Sequence, residues 1–328
     1  MYLVACTWMP NPPRSRLSRP RSTTTRRVIA SLFVVAMAAL VAACGSTSTA
    51  ATTSGSGSIR VVADENFWGS IASQLGGSKT TVQSIIVNPA QDPHAYEPTA
   101  SDARTLATAQ LVIVNGVGYD PWAPKLLAAN PASGRTTLTV GNLFGLKQGD
   151  NPHRWYSPTD VTDVAHAITA DLTKLDPKDA SYFSQQLNAF ETNGLAQYHA
   201  LISQIKSRYA GVPVGASESI FALQAPALGL NLVTPYSFMK ALSEGTEVTA
   251  QDTITTERQI TSHQIKVWIY NSQNATPLIQ RLNALARAAH IPTVTITETL
   301  DPANYSFEQW QVAQLQRIEQ ALHQATGR

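Results

Sequence analysis

The 328-residue chain is 43% apolar and only 14% charged, which excludes a disordered polyelectrolyte, a coiled coil and a collagen-like repeat. Its two cysteines exclude a disulfide scaffold and a cysteine-cluster metal or iron–sulfur site. Of the 24 basic side chains, six are arginines within residues 1–43. The rest of the chain has 18 basic and 22 acidic side chains, so its charge does not indicate a nucleic-acid partner.

The first part of the chain has the pattern of an exported lipoprotein. After two arginines, an apolar run over 28–43 would span about 24 Å as a helix, short of the ~30 Å hydrocarbon core, so a signal peptide over 1–43 is predicted. The run ends like a bacterial lipobox, with Cys44 as the acylated residue and a Ser/Thr/Gly/Ala tether over 44–58. We expect an extracytoplasmic protein, lipid-anchored to the outer face of the bacterial plasma membrane. The alternative is a plain secretory signal with a chance cysteine.

From residue 59 onward, short apolar runs alternate with helical stretches, which predicts an α/β fold of parallel sheets flanked by helices. The first half has predicted strands at 59–63, 82–87 and 111–114 and predicted helices at 67–75 and 101–108. The second half has predicted strands at 213–216, 231–234, 267–270 and 293–296 and predicted helices at 220–228, 255–262, 277–289 and 307–324. We therefore predict two lobes, over residues 59–176 and 211–328.

The longest helical pattern lies between these two lobes, over residues 177–210. Apolar side chains recur there at three- and four-residue spacing, and a helix of this length would reach nearly ~50 Å. Gly194 costs ~1 kcal/mol inside a helix and marks a candidate kink. We predict one long helix that joins the lobes and leaves little room for a wide hinge.

Two histidines stand in proline-bounded loops. His94 follows the second predicted strand, and His153 lies in a similar Pro-His loop 59 residues later. Open α/β sheets bind ligands at the carboxyl ends of their strands. Imidazoles on stiff loops suit a divalent cation, because preorganised ligands lose little entropy on binding. The two histidines therefore predict a shared metal site.

Three segments carry a resemblance to a known family: DPHAYEPTASD (92–102), LVIVNGVGYDPW (111–122) and NPHRWYSP (151–158). They resemble the metal-binding solute-binding proteins of ABC transporters, the ZnuA/TroA-like family, and the resemblance extends over 59–326. It implies two α/β lobes joined by a long rigid helix, with one Zn²⁺, Mn²⁺ or Fe²⁺ ion bound between them. It also implies a carrier rather than an enzyme, with a membrane permease and its ATPase as partners. We expect a monomer.

The resemblance assigns two further ligands. The third family ligand, His or Glu after the first strand of the second lobe, falls on Glu218, whose other explanation is a helix N-terminal carboxylate. The fourth, usually an Asp after the last strand, falls on Glu298. Asp301 and the polar loop 271–274 compete with Glu298 for this position.

Other side chains are expected in supporting or unrelated positions. Asn271 is expected to support the site, and Glu97 and Tyr96 to orient His94 or to fix its turn. The remaining histidines are expected on the surface or satisfied in the core: His166, His199, His263, His290 and His323. The tryptophans expected to pack near the cleft are Trp68, Trp122 and Trp155.

Two imidazoles and two carboxylates favour Mn²⁺ over Zn²⁺, with Fe²⁺ also compatible, because hard oxygen donors suit Mn²⁺ and Fe²⁺. Zinc members of the resembled family commonly carry a histidine-rich loop between the first two ligands, and residues 95–152 contain no histidine. The Irving–Williams order nevertheless allows Zn²⁺ to bind as tightly. Two other functions stay open: a secreted metal-dependent hydrolase, although no HExxH, GxSxG or phosphate-loop pattern occurs, and an envelope adhesion lipoprotein with a metal site.

Overall fold

The computed structural model describes residues 58–90 and 92–328. The predicted signal peptide over 1–43, Cys44 and all but the last residue of the predicted tether lie outside the described residues. Within the described ranges, no helix combines the length and the apolar character that a membrane crossing requires.

The first sheet contains four parallel strands in the order β2-β1-β3-β4. Its strands are β1 (Ile59–Glu65), β2 (Thr80–Ile86), β3 (Leu111–Val114) and β4 (Thr136–Thr139). The helices of this part are α1 (Asn66–Gly76), α2 (Ala100–Thr108), α3 (Ala123–Ala129), α4 (Val140–Leu143) and α5 (Pro158–Leu175). All four residues of β3 are buried, as expected for a central strand covered on both faces. The sequence did not predict β4, because a Thr-rich edge strand has no apolar run.

The chain between the two sheets is helical. Its last two helices are α6 (Ala180–Ala189) and α7 (Ala196–Tyr209). They are joined by a π-helical turn over Phe190–Gly194, in which the Leu195 N–H donates to the Phe190 carbonyl oxygen at 2.8 Å. The single helix predicted over 177–210 is therefore interrupted, because a π turn holds an extra residue. The candidate kink at Gly194 is the last residue of this turn.

The second sheet repeats the first, with parallel strands in the order β6-β5-β7-β8. Its strands are β5 (Pro213–Ala216), β6 (Asn231–Leu232), β7 (Val267–Asn271) and β8 (Thr293–Ile296). The helices of this part are α8 (Tyr236–Ser243), α9 (Ala250–Thr261), α10 (Pro277–Ala288) and α11 (Phe307–Thr326). Two helix-flanked parallel sheets confirm the predicted α/β class.

The helix predicted over 220–228 is wrong. The chain forms a short 3₁₀ helix over Ser219–Leu223 and then a series of turns. Pro226 disfavours the helical conformation for Ala225, the residue before it. Gly229 then takes a φ of 65°, which ends any continuation of a helix.

One buried apolar cluster extends through both sheets and the helices between them. α7 packs on α11, where the ring centroids of Tyr198 and Phe307 lie 6.2 Å apart and Arg208 pairs with Glu319 at 3.1 Å. The last helix of the chain is thus packed against the helical segment between the sheets.

Candidate metal centre

Five positions at the carboxyl ends of parallel strands supply the polar side chains of the candidate site. They are His94 after β2, Tyr119 after β3, Glu218 after β5, Asn271 at the end of β7 and Glu298 after β8. The hydroxyl of Tyr119 reaches Glu298, so residues of the two sheets are in contact here. This is the edge at which open α/β sheets bind ligands.

The backbone turn around His94 fixes the position of its side chain. Asp92 caps a 3₁₀ helix over Pro93–Ala95, and its Oδ1 accepts the His94 N–H at 2.9 Å. The imidazole is 21% exposed, and its centroid lies 4.6 Å from that of the Tyr119 ring. Its Nε2 lies 3.4 Å from Oε2 of Glu298 and has no hydrogen-bond partner in the described parts of the chain. One ring nitrogen is therefore free close to a carboxylate.

His153 is completely buried, and its neighbours fix one tautomer. Asn151 donates its amide N–H to the Ser219 carbonyl oxygen at 2.7 Å, so its Oδ1 is the atom that lies 2.8 Å from Nδ1 of the imidazole. We therefore assign the ring proton to Nδ1, which leaves Nε2 with a lone pair and no hydrogen-bond partner. Burial, followed by the nearby His94, lowers the pKa of His153 well below its ordinary value. A neutral imidazole is the form of histidine that binds metal ions.

Glu298 is buried, and both of its carboxylate oxygens accept hydrogen bonds from neutral donors. Tyr119 Oη donates to Oε2 at 2.7 Å, and Asn271 Nδ2 donates to Oε1 at 2.8 Å. Burial raises the pKa of Glu298, while His94 opposes this shift. One ligand atom from each of His94, His153 and Glu298 lies within 4.8 Å of the other two. The structure thus brings together three of the four predicted ligands.

Glu218 lies beside this group of three. Its Oε2 accepts a hydrogen bond from Asn271 Nδ2 at 3.1 Å, and the same amide holds Glu298, so Asn271 bridges the two carboxyl groups. Oε1 of Glu218 is buried without a hydrogen-bond partner. Burial and then repulsion from Glu298 raise the pKa of Glu218 well above its ordinary value. Asn271 is therefore in contact with both predicted carboxylate ligands.

The chemistry of these side chains fits a divalent cation. His94 Nε2, His153 Nε2 and Glu218 Oε1 are buried without hydrogen-bond partners in the described chain. Each unsatisfied buried polar atom costs ~1–3 kcal/mol. Two of these atoms belong to histidines of the 4.8 Å group, and Glu218 is linked to that group through Asn271, so together they indicate a missing partner. Neither carboxyl group forms an ion pair with a lysine or arginine within the described residues. A cation would satisfy these lone pairs and balance both carboxylates.

Two carboxylates that the sequence analysis considers near the site, Glu97 and Asp301, are exposed. Glu97 is exposed and makes no hydrogen bond with His94. The turn is stabilised instead through Tyr96, whose hydroxyl donates to Asp102 at 2.8 Å. Asp301, the competitor for the fourth ligand position, is also exposed. Neither carboxylate is therefore in the buried group.

The three tryptophans expected near the cleft are buried, whereas the remaining histidines are exposed. Trp155 lies against His153, with ring centroids 5.2 Å apart, and Trp68 Nε1 donates to Asn115 Oδ1 at 3.1 Å. Trp122 packs in a separate, smaller apolar cluster. The five other histidines are all exposed: His166, His199, His263, His290 and His323.

Sequence reasoning missed the turn that carries Tyr119. Three consecutive residues of this turn have positive φ angles, 77° at Gly116, 60° at Val117 and 83° at Gly118. Such a conformation costs a β-branched residue on the order of 1–3 kcal/mol, and it persists only where surrounding contacts impose it. The two glycines around one valine were the available signal in the sequence.

An opening of about 460 Å³ lies beside His94 and is lined by residues that follow strands of both sheets. Lys240 Nζ donates to the Gly149 carbonyl oxygen at 2.6 Å, across the same opening. Together with the bond from Asn151 to Ser219, this contact connects the two sheets beside the site.

Comparison with known sequences gives a consistent family match. A family model described as zinc-uptake complex component A, periplasmic, matches residues 61–321, more than half of the chain. The manganese-binding lipoprotein MntA of Halalkalibacterium halodurans is 26% identical over 169 residues, which cover 50% of this chain and 55% of MntA. The metal ABC transporter substrate-binding lipoprotein FimA of Streptococcus parasanguinis is 27% identical over 220 residues, 62% of this chain and 68% of FimA. The match to MntA thus spans little more than half of that relative's length.

Solved structures share the fold. FpvC of Pseudomonas aeruginosa, determined with Ni²⁺, gives a TM-score of 0.66 at 20% identity and covers 81% of this chain and 97% of FpvC. A Cd-bound periplasmic metal-binding protein from Candidatus Liberibacter asiaticus gives 0.66 at 19% identity and covers 80% of this chain and 99% of that protein. At these identities the likeness establishes the architecture of two helix-flanked parallel sheets.

Proposed function

The chain belongs to the zinc-uptake complex component A family, and we propose that it captures one divalent transition-metal ion between its two sheets and delivers it to an ABC permease for import. The observation that carries this proposal is the 4.8 Å group of His94, His153 and Glu298, in which Nε2 of both histidines has no hydrogen-bond partner among the described residues. The named functions of the relatives, which include manganese binding and metal ABC transport, agree with it. The permease works with an ATPase, and the carrier acts as a monomer.

We assign four ligands to the ion: Nε2 of His94, Nε2 of His153, a carboxylate oxygen of Glu298 and Oε1 of Glu218. The 4.8 Å grouping supports the first three, and the shared Asn271 amide supports Glu218. Asn271 and Tyr119 hold the carboxylates, because outer hydrogen bonds orient metal ligands and tune their basicity. Four protein ligands would complete the tetrahedral sphere of a Zn²⁺ ion, which for that ion favours carriage over a catalytic site with an open position.

Mn²⁺ is the ion that we favour over Zn²⁺, with Fe²⁺ as a further candidate. Two buried carboxyl groups supply hard oxygen donors and two negative charges, which suit Mn²⁺ and Fe²⁺. Relatives carry both ions in their names, manganese for MntA and iron for MtsA of Streptococcus pyogenes. Neither of the alternatives, a secreted hydrolase or an adhesion lipoprotein, has a structural observation in its favour.

Delivery requires that the ion leave the site. We propose lobes over 59–176 and 211–328, with the helical segment 177–210 between them limiting their separation. Release then needs only a modest opening that breaks the Lys240 and Asn151 contacts between the sheets. His94, the one partly exposed ligand, is the first to meet solvent in such an opening.

Metal titration tests the proposed function directly. Protein purified without chelator is expected to bind one equivalent of Mn²⁺ or Zn²⁺, and either ion is expected to raise the melting temperature. At a free metal concentration of 1,000 Kd the stabilisation is ~4 kcal/mol, and a chelator should reverse it. Calorimetry and elemental analysis give the stoichiometry. Absence of stabilisation by Mn²⁺, Fe²⁺ and Zn²⁺ alike would refute the proposal.

We also propose that Cys44 anchors the mature protein to the outer face of the plasma membrane through a lipid. Cys44→Ser is expected to move the protein from the membrane fraction to the medium or soluble fraction, because the acyl chains supply the membrane affinity. Cys6→Ser is the matched control, since Cys6 lies within the predicted signal peptide. Immunoblots of fractionated cells provide the measurement. Membrane retention of the Cys44→Ser protein would contradict the anchor.

A further inference from the structure

Three further carboxyl groups are buried and take no part in the proposed coordination. Asp64 and Glu65 end β1, Asp120 follows Tyr119, and each of the three is at most 1% exposed. Among the residues that the structure describes, the four carboxyl oxygens of Asp64 and Glu65 have no hydrogen-bond donor. After burial itself, the neighbour that most raises the pKa of both groups is Asp120. Burying three carboxyl groups close together is energetically costly, so the interactions that Asp120 makes are of interest.

Asp120 holds the start of the strained turn. Its Oδ2 accepts the Asn115 N–H at 2.7 Å and its Oδ1 accepts the Gly116 N–H at 2.8 Å. These two N–H groups directly precede Val117 and its positive φ angle. Asp120 is therefore one of the contacts that impose this backbone conformation.

Two side chains of the same turn donate hydrogen bonds to the candidate site or to the residue before one of its ligands. Asn115 Nδ2 donates to the Pro152 carbonyl oxygen at 3.1 Å, immediately before His153 in the chain. Tyr119 Oη donates to Glu298 at 2.7 Å. The two bonds from the backbone to Asp120 form a clamp on this turn. The clamp thus supports both the contact to the loop of His153 and the contact to Glu298.

We propose that Asp120 is a positioning residue of the metal centre, which sets the turn over 115–120 so that Asn115 and Tyr119 hold His153 and Glu298 in binding geometry. This inference rests on the proposed function, because it assumes that His153 and Glu298 bind the ion. Asp120 itself does not touch the ion.

Asp64 and Glu65 are neutral acids close to Asp120. Burial, followed by repulsion from Asp120, raises the pKa of both groups well above their ordinary values. Burial also raises the pKa of Asp120, but its two backbone N–H donors oppose this shift, so the neighbouring acids take up a proton more readily than Asp120 does. The other titratable groups that sense these charges are Tyr96 and Tyr119. As neutral acids, Asp64 and Glu65 add no buried negative charge beside Asp120.

The test is Asp120→Asn in the mature protein, probed with Mn²⁺ and Co²⁺. An asparagine offers one acceptor oxygen where the turn needs two, so we expect Mn²⁺ affinity to fall by ~10–100-fold, the usual effect of losing an outer partner. The visible absorption of bound Co²⁺ should also change, because the ligand geometry changes, and a purely structural role would leave it unaltered. Asp171→Asn is the matched control, since Asp171 is a buried aspartate on α5 paired with Lys174.

A second variant covers the case in which Asp120→Asn fails to fold. Asn115→Ala keeps the backbone N–H that Asp120 accepts but removes the side-chain bond to the Pro152 carbonyl oxygen and the acceptor of Trp68 Nε1, and it is expected to weaken Mn²⁺ binding about tenfold. Wild-type affinity and an unchanged Co²⁺ spectrum in Asp120→Asn, or wild-type affinity in Asn115→Ala, would overturn the positioning role. If the unmodified protein bound neither ion, the proposed function would fail instead, so the two failures are distinguishable.

Discussion

A His153→Ala chain is expected to lose nearly all of its stabilisation by Mn²⁺. Loss of an outer partner of a ligand costs ~10–100-fold in metal affinity, and loss of a buried ligand atom should cost at least about 1,000-fold. At a Mn²⁺ concentration that gives the unmodified protein ~4 kcal/mol, the variant would retain ~0.4 kcal/mol. For a protein of this size, 1 kcal/mol corresponds to ~2–4 °C. A metal-induced shift of about 8–16 °C should therefore fall to about 1–2 °C.

The measurement is thermal unfolding followed with and without Mn²⁺. Because His153 is completely buried, alanine leaves a cavity and lowers the stability of the metal-free protein as well. His94→Ala repeats the test at a partly exposed side chain, where that cost is smaller. His199→Ala, at an exposed position on α7, is the control that should keep the full shift. A normal Mn²⁺ response in both ligand variants would remove the two histidines from the site.

The sequence predicts those parts of the fold and site that local patterns encode. Buried parallel strands such as β3 read as short apolar runs between turns, and the prediction of β3 has the same ends as the structure. His94 and His153 could be predicted as ligands because each lies in a loop that has a proline on either side of the histidine. Such signals lie within a few residues of one another, so one sequence is enough to find them.

Other parts of the site depend on contacts between residues that are far apart in the chain. Tyr119 and Glu298 are separated by 179 positions, and nothing near either residue indicates their hydrogen bond. The position of Glu97 has a different, local explanation, because the capping interactions between Thr99 and Asp102 at the start of α2 stabilise the turn without it. The π turn over Phe190–Gly194 is equally hidden, because apolar spacing alone does not reveal one inserted residue.

Glu218→Gln is expected to shift two quantities in opposite directions. The metal-free protein should become more stable at neutral pH, because the amide keeps the shape of the side chain and removes a buried carboxyl group that faces Glu298. Binding of Mn²⁺ should weaken by ~100-fold or more, because the site loses one negative charge and a strong oxygen donor. A higher melting temperature without metal and a smaller increase with metal would together identify Glu218 as a ligand.

The pH dependence of the same variant has a defined sign. Because the folded protein raises the pKa of Glu218, folding favours its protonated form, and the stability of the metal-free protein falls as pH rises through this raised pKa. Glu218→Gln cannot ionise there, so part of that fall should disappear from melting curves recorded between acidic and neutral pH. Glu247→Gln, an exposed residue that follows α8, should leave both the curve and the metal response unchanged. If Glu218→Gln binds Mn²⁺ with unmodified affinity, the ion is held without this carboxylate and the four-ligand site is wrong.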